Sequence, residues 1–409
     1  MMLTFAYYDN RLGLDHALAI AKEGYRVRYF HEWRYRYMRL EDYMVGRNLH
    51  EKLEVVEDFF RAMHSGVDVV FIADVGYGYL GDYIRDVLGV PVYGASVLGD
   101  RLELNRIEAA NMMRLVGIKT PQYREITGVE NLIDLGDRLG WDFFLKVNAV
   151  RGNMETTRVS SKRELITLIE SAGFGPLRDN VRFIVSKPIE GVEVGVDAWF
   201  NGEHFLRPYH FGNEVKGTGC CFGKWVTESI WDPVLDRMEK ILRGRYWGTI
   251  SFEGIYDGSD IYVIDVTSRL AKPAGSLQHV STRGKYGDIV WQVARGKEAE
   301  IEPRGKYTIQ IGLNFVEPNS WVCLGKPRDD IVVCLYAFGL DGDIWVNTRE
   351  DLNGVVFYVD VGDDFGSLVS KAVNESFRYA AEYDLIYSDA GIRAYKEMLE
   401  KLRQFGIEW

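Results

Sequence analysis

The chain reads as a multidomain protein of α/β and α+β type. A parallel α/β domain comes first, then a central stretch of short antiparallel strands broken by helices, then a small α+β domain. Three observations predict this. A chain of 409 residues exceeds one ordinary core and divides into subdomains. Strand and helix signals alternate through the first hundred residues, as a parallel sheet with right-handed crossovers requires. From about Arg101 the strands shorten and tight-turn pairs appear, the pattern of antiparallel pairing. The expected domains are 1–100, 101–300 and 301–409.

Leu3–Tyr8 is a short apolar run, followed by the Asp9-Asn10 turn and a helical stretch near Asp15–Glu23. Asp68–Ala73 (DVVFIA) has the unbroken apolar character of a strand buried on both faces. A helix near Leu80–Leu88 and a strand over Val90–Tyr93 follow. Ligands of such a sheet bind at the carboxyl ends of its strands. A helix over Glu103–Val116 is closed by Gly117 and Pro121. Strands are expected at Phe143–Val147, Arg182–Ser186, Glu193–Phe200, Thr249–Tyr256 and Ile261–Val266, with hairpin turns at Asn201-Gly202 and Asp257-Gly258. Helices fall near Lys162–Ser171 and Pro233–Gly244. The last unit has strands near Val332–Phe338, Ile344–Asn347 and Val355–Asp360, then helices near Gly366–Tyr383 and Ala390–Gln404.

Composition narrows the function. Hydrophobic and charged fractions of 47% and 27% are those of a soluble globular protein. No apolar run reaches the roughly 20 residues that span a bilayer, and the N-terminus lacks a signal peptide's basic and apolar regions. A cytoplasmic protein with no membrane partner is expected. Four cysteines without C-x-x-C spacing read as free thiols. A net charge of −11 speaks against nucleic-acid backbone binding. The aromatic cluster at 29–37 reads as a surface or subdomain contact rather than a base-stacking patch. No G-x-G-x-x-G follows the first strand, which disfavours a nicotinamide-dependent oxidoreductase.

Three segments carry candidate chemistry. In Ser251–Arg269 a strand, an Asp-Gly turn and a second strand put Asp265, Thr267 and Arg269 on one face, with Glu253 placed to sit across from Asp265. Facing carboxylates repel unless a cation lies between them, and hard oxygen ligands suit Mg²⁺. The alternative is a solvated hairpin face with an Arg–Asp pair. Phe143-Phe-Leu-Lys146-Val sets one lysine in an apolar strand. A buried lysine needs an anion, for which a nucleotide phosphate is a candidate; a lysine ending a strand at the surface is the plainer reading. Val185-Ser-Lys-Pro-Ile-Glu-Gly191-Val-Glu193 offers backbone groups to an adenine edge and a carboxylate to ribose hydroxyls.

Taken in this order, the three segments resemble the ATP-grasp superfamily, and beyond them the chain resembles the phosphoribosylamine–glycine ligase family nearly end to end. Leu12-Gly-Leu-Asp-His-Ala-Leu18 is similar to that family's Gly-Arg-Glu-His-Ala-Leu. Pro91-Val-Tyr-Gly-Ala-Ser96, Leu102-Glu-Leu-Asn-Arg106 through Gly117-Ile-Lys-Thr-Pro121, and Tyr387-Ser-Asp-Ala-Gly-Ile-Arg393 follow other family segments. The resemblance implies a central two-subdomain ATP-grasp fold with a lid over about 148–225, in which Asn213–Gly223 is a flexible part. It implies ATP and Mg²⁺ (or Mn²⁺) as cofactors. Arg106 and Lys146 would lie near the phosphates, Ser186 and Lys187 in the adenine hinge, and Glu193 at the ribose. Asp265 and Thr267 would hold the metal with Glu253, and Arg269 with Lys146 would act in catalysis. The implied reaction joins glycine to phosphoribosylamine in purine biosynthesis, through an acyl phosphate, in a monomer or homodimer.

Departures from the family cluster at the substrate loops. The first phosphate loop is Asp9-Asn-Arg-Leu-Gly13 instead of glycine-dense, the lid is reduced to Val150-Arg151-Gly152-Asn153, and Ala73-Asp74-Val75 replaces Gly-Pro-Glu. Ala271-Lys-Pro-Ala-Gly275 replaces Gly-Asp-Pro-Glu, and Thr267 stands where the family has an asparagine. These changes keep two alternatives open: a ligase of a different acid and amine, or an inactive nucleotide-binding relative.

Overall fold

The computed structural model describes residues 3–10, 12–32, 44–147, 156–272, 274–316, 320–333, 336–347 and 356–409. The expected lid segment Val150–Asn153 and most of the 29–37 aromatic cluster lie outside these residues.

The first unit is a parallel sheet built from β1 (Thr4–Asp9), β2 (Arg26–His31), β3 (Leu53–Val55), β4 (Val69–Ile72) and β5 (Val92–Gly94), in the order β3-β2-β1-β4-β5. Helices α1 (Leu14–Lys22), α2 (Phe59–His64) and α3 (Gly78–Asp86) make the crossovers. Tyr7 stacks on Phe71 at 4.4 Å between ring centroids, and Phe71 on Tyr93 at 4.6 Å, so the aromatic richness of the chain is spent here on core packing. Tyr8 pairs with Ile72, which sets the loops after β1 and β4 side by side at the carboxyl edge of the sheet. Sequence periodicity missed β2 and β3, because both are short and mix arginine or glutamate into the strand.

The helix expected over 103–116 is two helices, α4 (Val97–Leu104) and α5 (Arg106–Leu115). Asn105 leaves helical geometry at φ −120° and ψ 80°, and its side chain accepts the Glu108 N–H as the cap of α5. That break makes Arg106 the first residue of α5. A small antiparallel sheet follows, from β6 (Arg124–Thr127), β7 (Phe143–Val147), β8 (Thr156–Val159) and β9 (Arg182–Ser186), in the order β6-β9-β7-β8. Helices α6 (Val129–Leu139) and α7 (Lys162–Ala172) pack on it through Leu132, Leu135 and Leu165.

The large antiparallel sheet runs through β10 (Val192–Phe200), β11 (Tyr209–Val215), β12 (Cys220–Val226), β13 (Gly248–Tyr256) and β14 (Ile261–Thr267). Helix α8 (Asp232–Leu242) separates β12 from β13, and α9 (Gly275–Ser281) and α10 (Tyr286–Ala294) follow β14. The chain then adds β15 (Tyr307–Phe315), β16 (Trp321–Cys323), β17 (Ile331–Val333), β18 (Ala337–Leu340), β19 (Asp343–Asn347), β20 (Val356–Gly362) and β21 (Leu385–Ile386), with α11 (Phe365–Glu382) and α12 (Ala390–Gln404). Among the described residues the large sheet has the order β14-β13-β10-β11-β12-β15-β20-β17, with β21 on β15. Strands β16, β19 and β18 form a separate three-stranded sheet.

Three further details differ from the sequence reading. The strand expected at 332–338 is two strands in different sheets, β17 and β18. Strands β10, β11 and β12, which fall in the stretch of about 148–225 placed in the lid by resemblance, pair into the large sheet instead of with β7 and β9. Likewise, β15 and β20 of the last unit extend that same sheet across β12. No helix among the described residues is long and apolar enough to cross a membrane.

Candidate functional site

The register of β13 against β14 places Glu253 opposite Asp265, with a bulge immediately after Glu253. Both carboxylates are half-buried. Lys146, next to last in β7, reaches across from the small sheet: its ammonium donates to the Ile264 carbonyl at 3.0 Å and lies 3.9 Å from Asp265 Oδ1. Only 7% of Lys146 is exposed. Burial pulls its pKa below the usual lysine value, and Asp265 works in the opposite direction. Arg106 comes from the first turn of α5, with Nε 3.6 Å from the same Asp265 oxygen. A surface lysine is thereby ruled out for Lys146, and three elements of distant sequence converge on one carboxylate.

On the other side of Glu253 stands Lys216, from the turn between β11 and β12. Its ammonium is 2.6 Å from Glu253, 3.4 Å from Glu214 and 4.0 Å from Glu193. Desolvation, and then the charge of Glu253, push the Glu193 carboxyl up to about 7. Glu193, Glu253, Thr267 and Arg269 all line a cavity of about 70 Å³ over the large sheet. Arg269 is held by Glu103 at 2.8 Å and Asp74 at 3.4 Å, which ties the end of β14 to α4 and to the loop after β4. Burial opposes the Arg269 charge, but those two acids outweigh it and hold the guanidinium above its ordinary pKa.

Ser186 and Lys187 do not join this cluster. They line a second cavity of about 270 Å³ with Phe143, Thr120 and Tyr262. Phe143 and Lys146 lie on one strand three residues apart, so the two places are separated by about 10 Å along β7 at ~3.3 Å per residue.

Sequence reasoning missed a buried polar chain in the smaller cavity. His210 Nδ1 is 3.2 Å from Asp197 and Nε2 is 2.7 Å from Thr308, and the Ser251 hydroxyl donates to the other Asp197 oxygen. Its one signal was Gly223, among the glycines read as lid flexibility. Gly212 and Gly223 face each other across β11 and β12, and a Cβ at Gly223 would stand 2.2 Å from the His210 ring. The segment 213–223 is thus two paired strands joined by a turn, and these glycines make room for an imidazole. Also missed was a buried cluster behind α1. Asp15 receives both of its Lys272 contacts at 2.8 Å, the Ser276 hydroxyl at 2.8 Å, and His279 at 3.0 Å. The Lys272 ammonium already supplies a cation to that carboxylate.

The donor set at Glu253 and Asp265 fits a hard divalent cation. Two carboxylates share one rung of the sheet, Asp265 with Lys146 and Arg106 beside it and Glu253 with Lys216 beside it.

No family model matches the chain. Among curated proteins, it is 26% identical to D-alanine–D-alanine ligase A of Bacillus cereus over 155 residues, 37% of this chain and 48% of the relative. The matched stretch spans about half the length of that relative. Among solved structures, phosphoribosylamine–glycine ligase from Thermotoga maritima superposes with a TM-score of 0.68 at 16% identity, covering 95% of this chain and 98% of that one. A biotin carboxylase from Campylobacter jejuni, solved as a β-γ-ATP complex, superposes with a TM-score of 0.64 at 14% identity, covering 94% and 92%. In fold, the chain is similar end to end to phosphoribosylamine–glycine ligase and to biotin carboxylase.

Proposed function

We propose that the chain is an ATP-dependent carboxylate–amine ligase working through an acyl phosphate. The observation that carries this reading is the convergence of Lys146 and Arg106 on Asp265, with Glu253 across the rung, about 10 Å along β7 from the hinge cavity. In this reading adenine lies against Ser186, Lys187 and Phe143, Glu193 faces the ribose, and the triphosphate runs toward Lys146 and Arg106. Glu253 and Asp265, with Thr267 beside them, would hold Mg²⁺, which offsets phosphate charge when bound.

The chemistry asks little of the protein beyond position and charge. A carboxylate oxygen of the acid attacks the γ-phosphorus, the bond to the ADP oxygen breaks, and Lys146 and Arg106 face the charge that develops. Arg269, which Asp74 and Glu103 hold in position, would bind the acyl phosphate. The amine nitrogen then bonds to the carbonyl carbon, the carbon–oxygen bond to phosphate breaks, and the amine sheds its proton to solvent. Glycine and phosphoribosylamine are the pair given by resemblance. A second reading, a ligase of a different acid or amine, is favoured by the altered loops at Asp9–Gly13 and Ala73–Gly76.

ADP release should require Mg·ATP, an acid and an amine together when each is omitted in turn. Glycine with freshly generated phosphoribosylamine is the first pair to assay. ATP hydrolysis indifferent to every acid and amine would overturn the ligase reading and leave a nucleotide-binding relative.

A further inference from the structure

Ligands of a parallel α/β sheet sit at the carboxyl ends of its strands, where backbone amides at helix N-termini commonly take a phosphate. Here both sets of amides are filled by the chain's own carboxylates. Asp9 Oδ1 accepts the N–H groups of Leu12 at 2.8 Å and Gly13 at 3.0 Å, just ahead of α1, while Oδ2 accepts the Tyr29 hydroxyl at 2.5 Å. Asp100, in the first turn of α4, reaches the loop after β4. Its Oδ1 accepts the Gly76 N–H and its Oδ2 the Gly78 N–H, each at 2.8 Å. The fit is close: a Cβ at Gly78 would stand 2.6 Å from Asp100 Oδ2 and 2.5 Å from the Ser96 carbonyl. A substrate phosphate would have to displace these carboxylates and then bear their charge.

Between the two loops the chemistry is of the opposite kind. Asn10 is 2% exposed and donates its side-chain N–H to Asp74 at 3.2 Å. Its carbonyl oxygen Oδ1 is buried with no hydrogen-bond partner among the described residues. A buried acceptor without a donor is costly to keep, and a ligand N–H would satisfy it. Asp74 also lies 3.4 Å from Arg269, so this spot adjoins the residue that the ligase reading sets on the acyl phosphate.

We infer that the subsite at the carboxyl ends of β1 and β4 takes a phosphate-free, cationic amine, with its N–H groups on Asn10 Oδ1 and the Asp74 carboxylate. The inference rests on the ligase reading above and names its acceptor class. Asp9 and Asp100 act as internal stand-ins for the phosphate that a phosphoribosyl substrate would bring.

The test is calorimetric and needs no turnover. The full chain is titrated with ribose 5-phosphate, with a panel of amino-acid amides and aliphatic polyamines, and with Mg·ATP. Ribose 5-phosphate is expected to show no saturation at about 1 mM, far above what an amide-held phosphate needs. At least one amine is expected to saturate, and its affinity should fall about tenfold or more in Asp74→Asn, as for a lost charged hydrogen bond. Saturable ribose 5-phosphate binding to the unaltered chain overturns the inference, whether or not the variant folds. A panel with no Asp74-dependent amine also overturns it. Failure of Mg·ATP to bind would instead count against the ligase reading, so the two failures are told apart.

Discussion

Asp265→Asn is expected to lower turnover by about a thousandfold or more while leaving the fold intact. The carboxylate faces both Lys146 and Arg106, at 3.9 and 3.6 Å, and it shares a rung with Glu253. The amide keeps the shape of the side chain and removes its charge. Two buried cations then lose the charge of a facing carboxylate, and the carboxylate pair that would hold Mg²⁺ becomes a single carboxylate. Removing one such preorganised electrostatic group typically costs about a hundred- to a thousandfold in rate, and loss of the metal adds to it. The checks are the ADP-release rate and a melting curve shifted by no more than about 4 °C, the size of a ~1 kcal/mol change. Full activity in this variant would show that the metal is held elsewhere.

Lys146→Ala is the second large effect, expected to weaken Mg·ATP binding by about 10- to 100-fold. Its ammonium is buried at the meeting of the two sheets, where it donates to the Ile264 carbonyl. A charged hydrogen bond of this kind contributes about 1.5–3 kcal/mol. Truncation also empties space in β7, so Lys146→Met serves as the companion that keeps volume and removes charge. Both variants should lose affinity if the charge acts on phosphate. Unchanged nucleotide affinity in Lys146→Met would remove the lysine from the site.

The parts of this account legible in the sequence are those that depend on a single strand. Phe143–Val147 and Arg182–Ser186 were readable to the residue because each is a compact apolar run between helix signals. The rung between Glu253 and Asp265 followed from strand alternation through one Asp-Gly turn. What escaped was whatever depends on distant pairing. Lys216 meets Glu193 and Glu253 only because β10 lies between β11 and β13, a neighbour relation that no local pattern encodes. The Asp197–His210–Thr308 chain spans three strands, and Gly223, which makes room for it, read as lid flexibility. Asp100 belonged to no pattern in the sequence. Its role emerges only when α4 is packed against the loop at Gly76 and Gly78. Helix periodicity likewise ran through Asn105, where a local side-chain cap won over propensity.

The central claim is that Lys146, Arg106 and the Glu253–Asp265 rung form a Mg·ATP site. The most direct test is a calorimetric titration of the unaltered chain with ATP, with and without Mg²⁺. The account predicts saturable binding that Mg²⁺ tightens by about tenfold or more, as two carboxylates bridged to phosphate require. ATP that fails to bind, or that binds equally well without the metal, would contradict it.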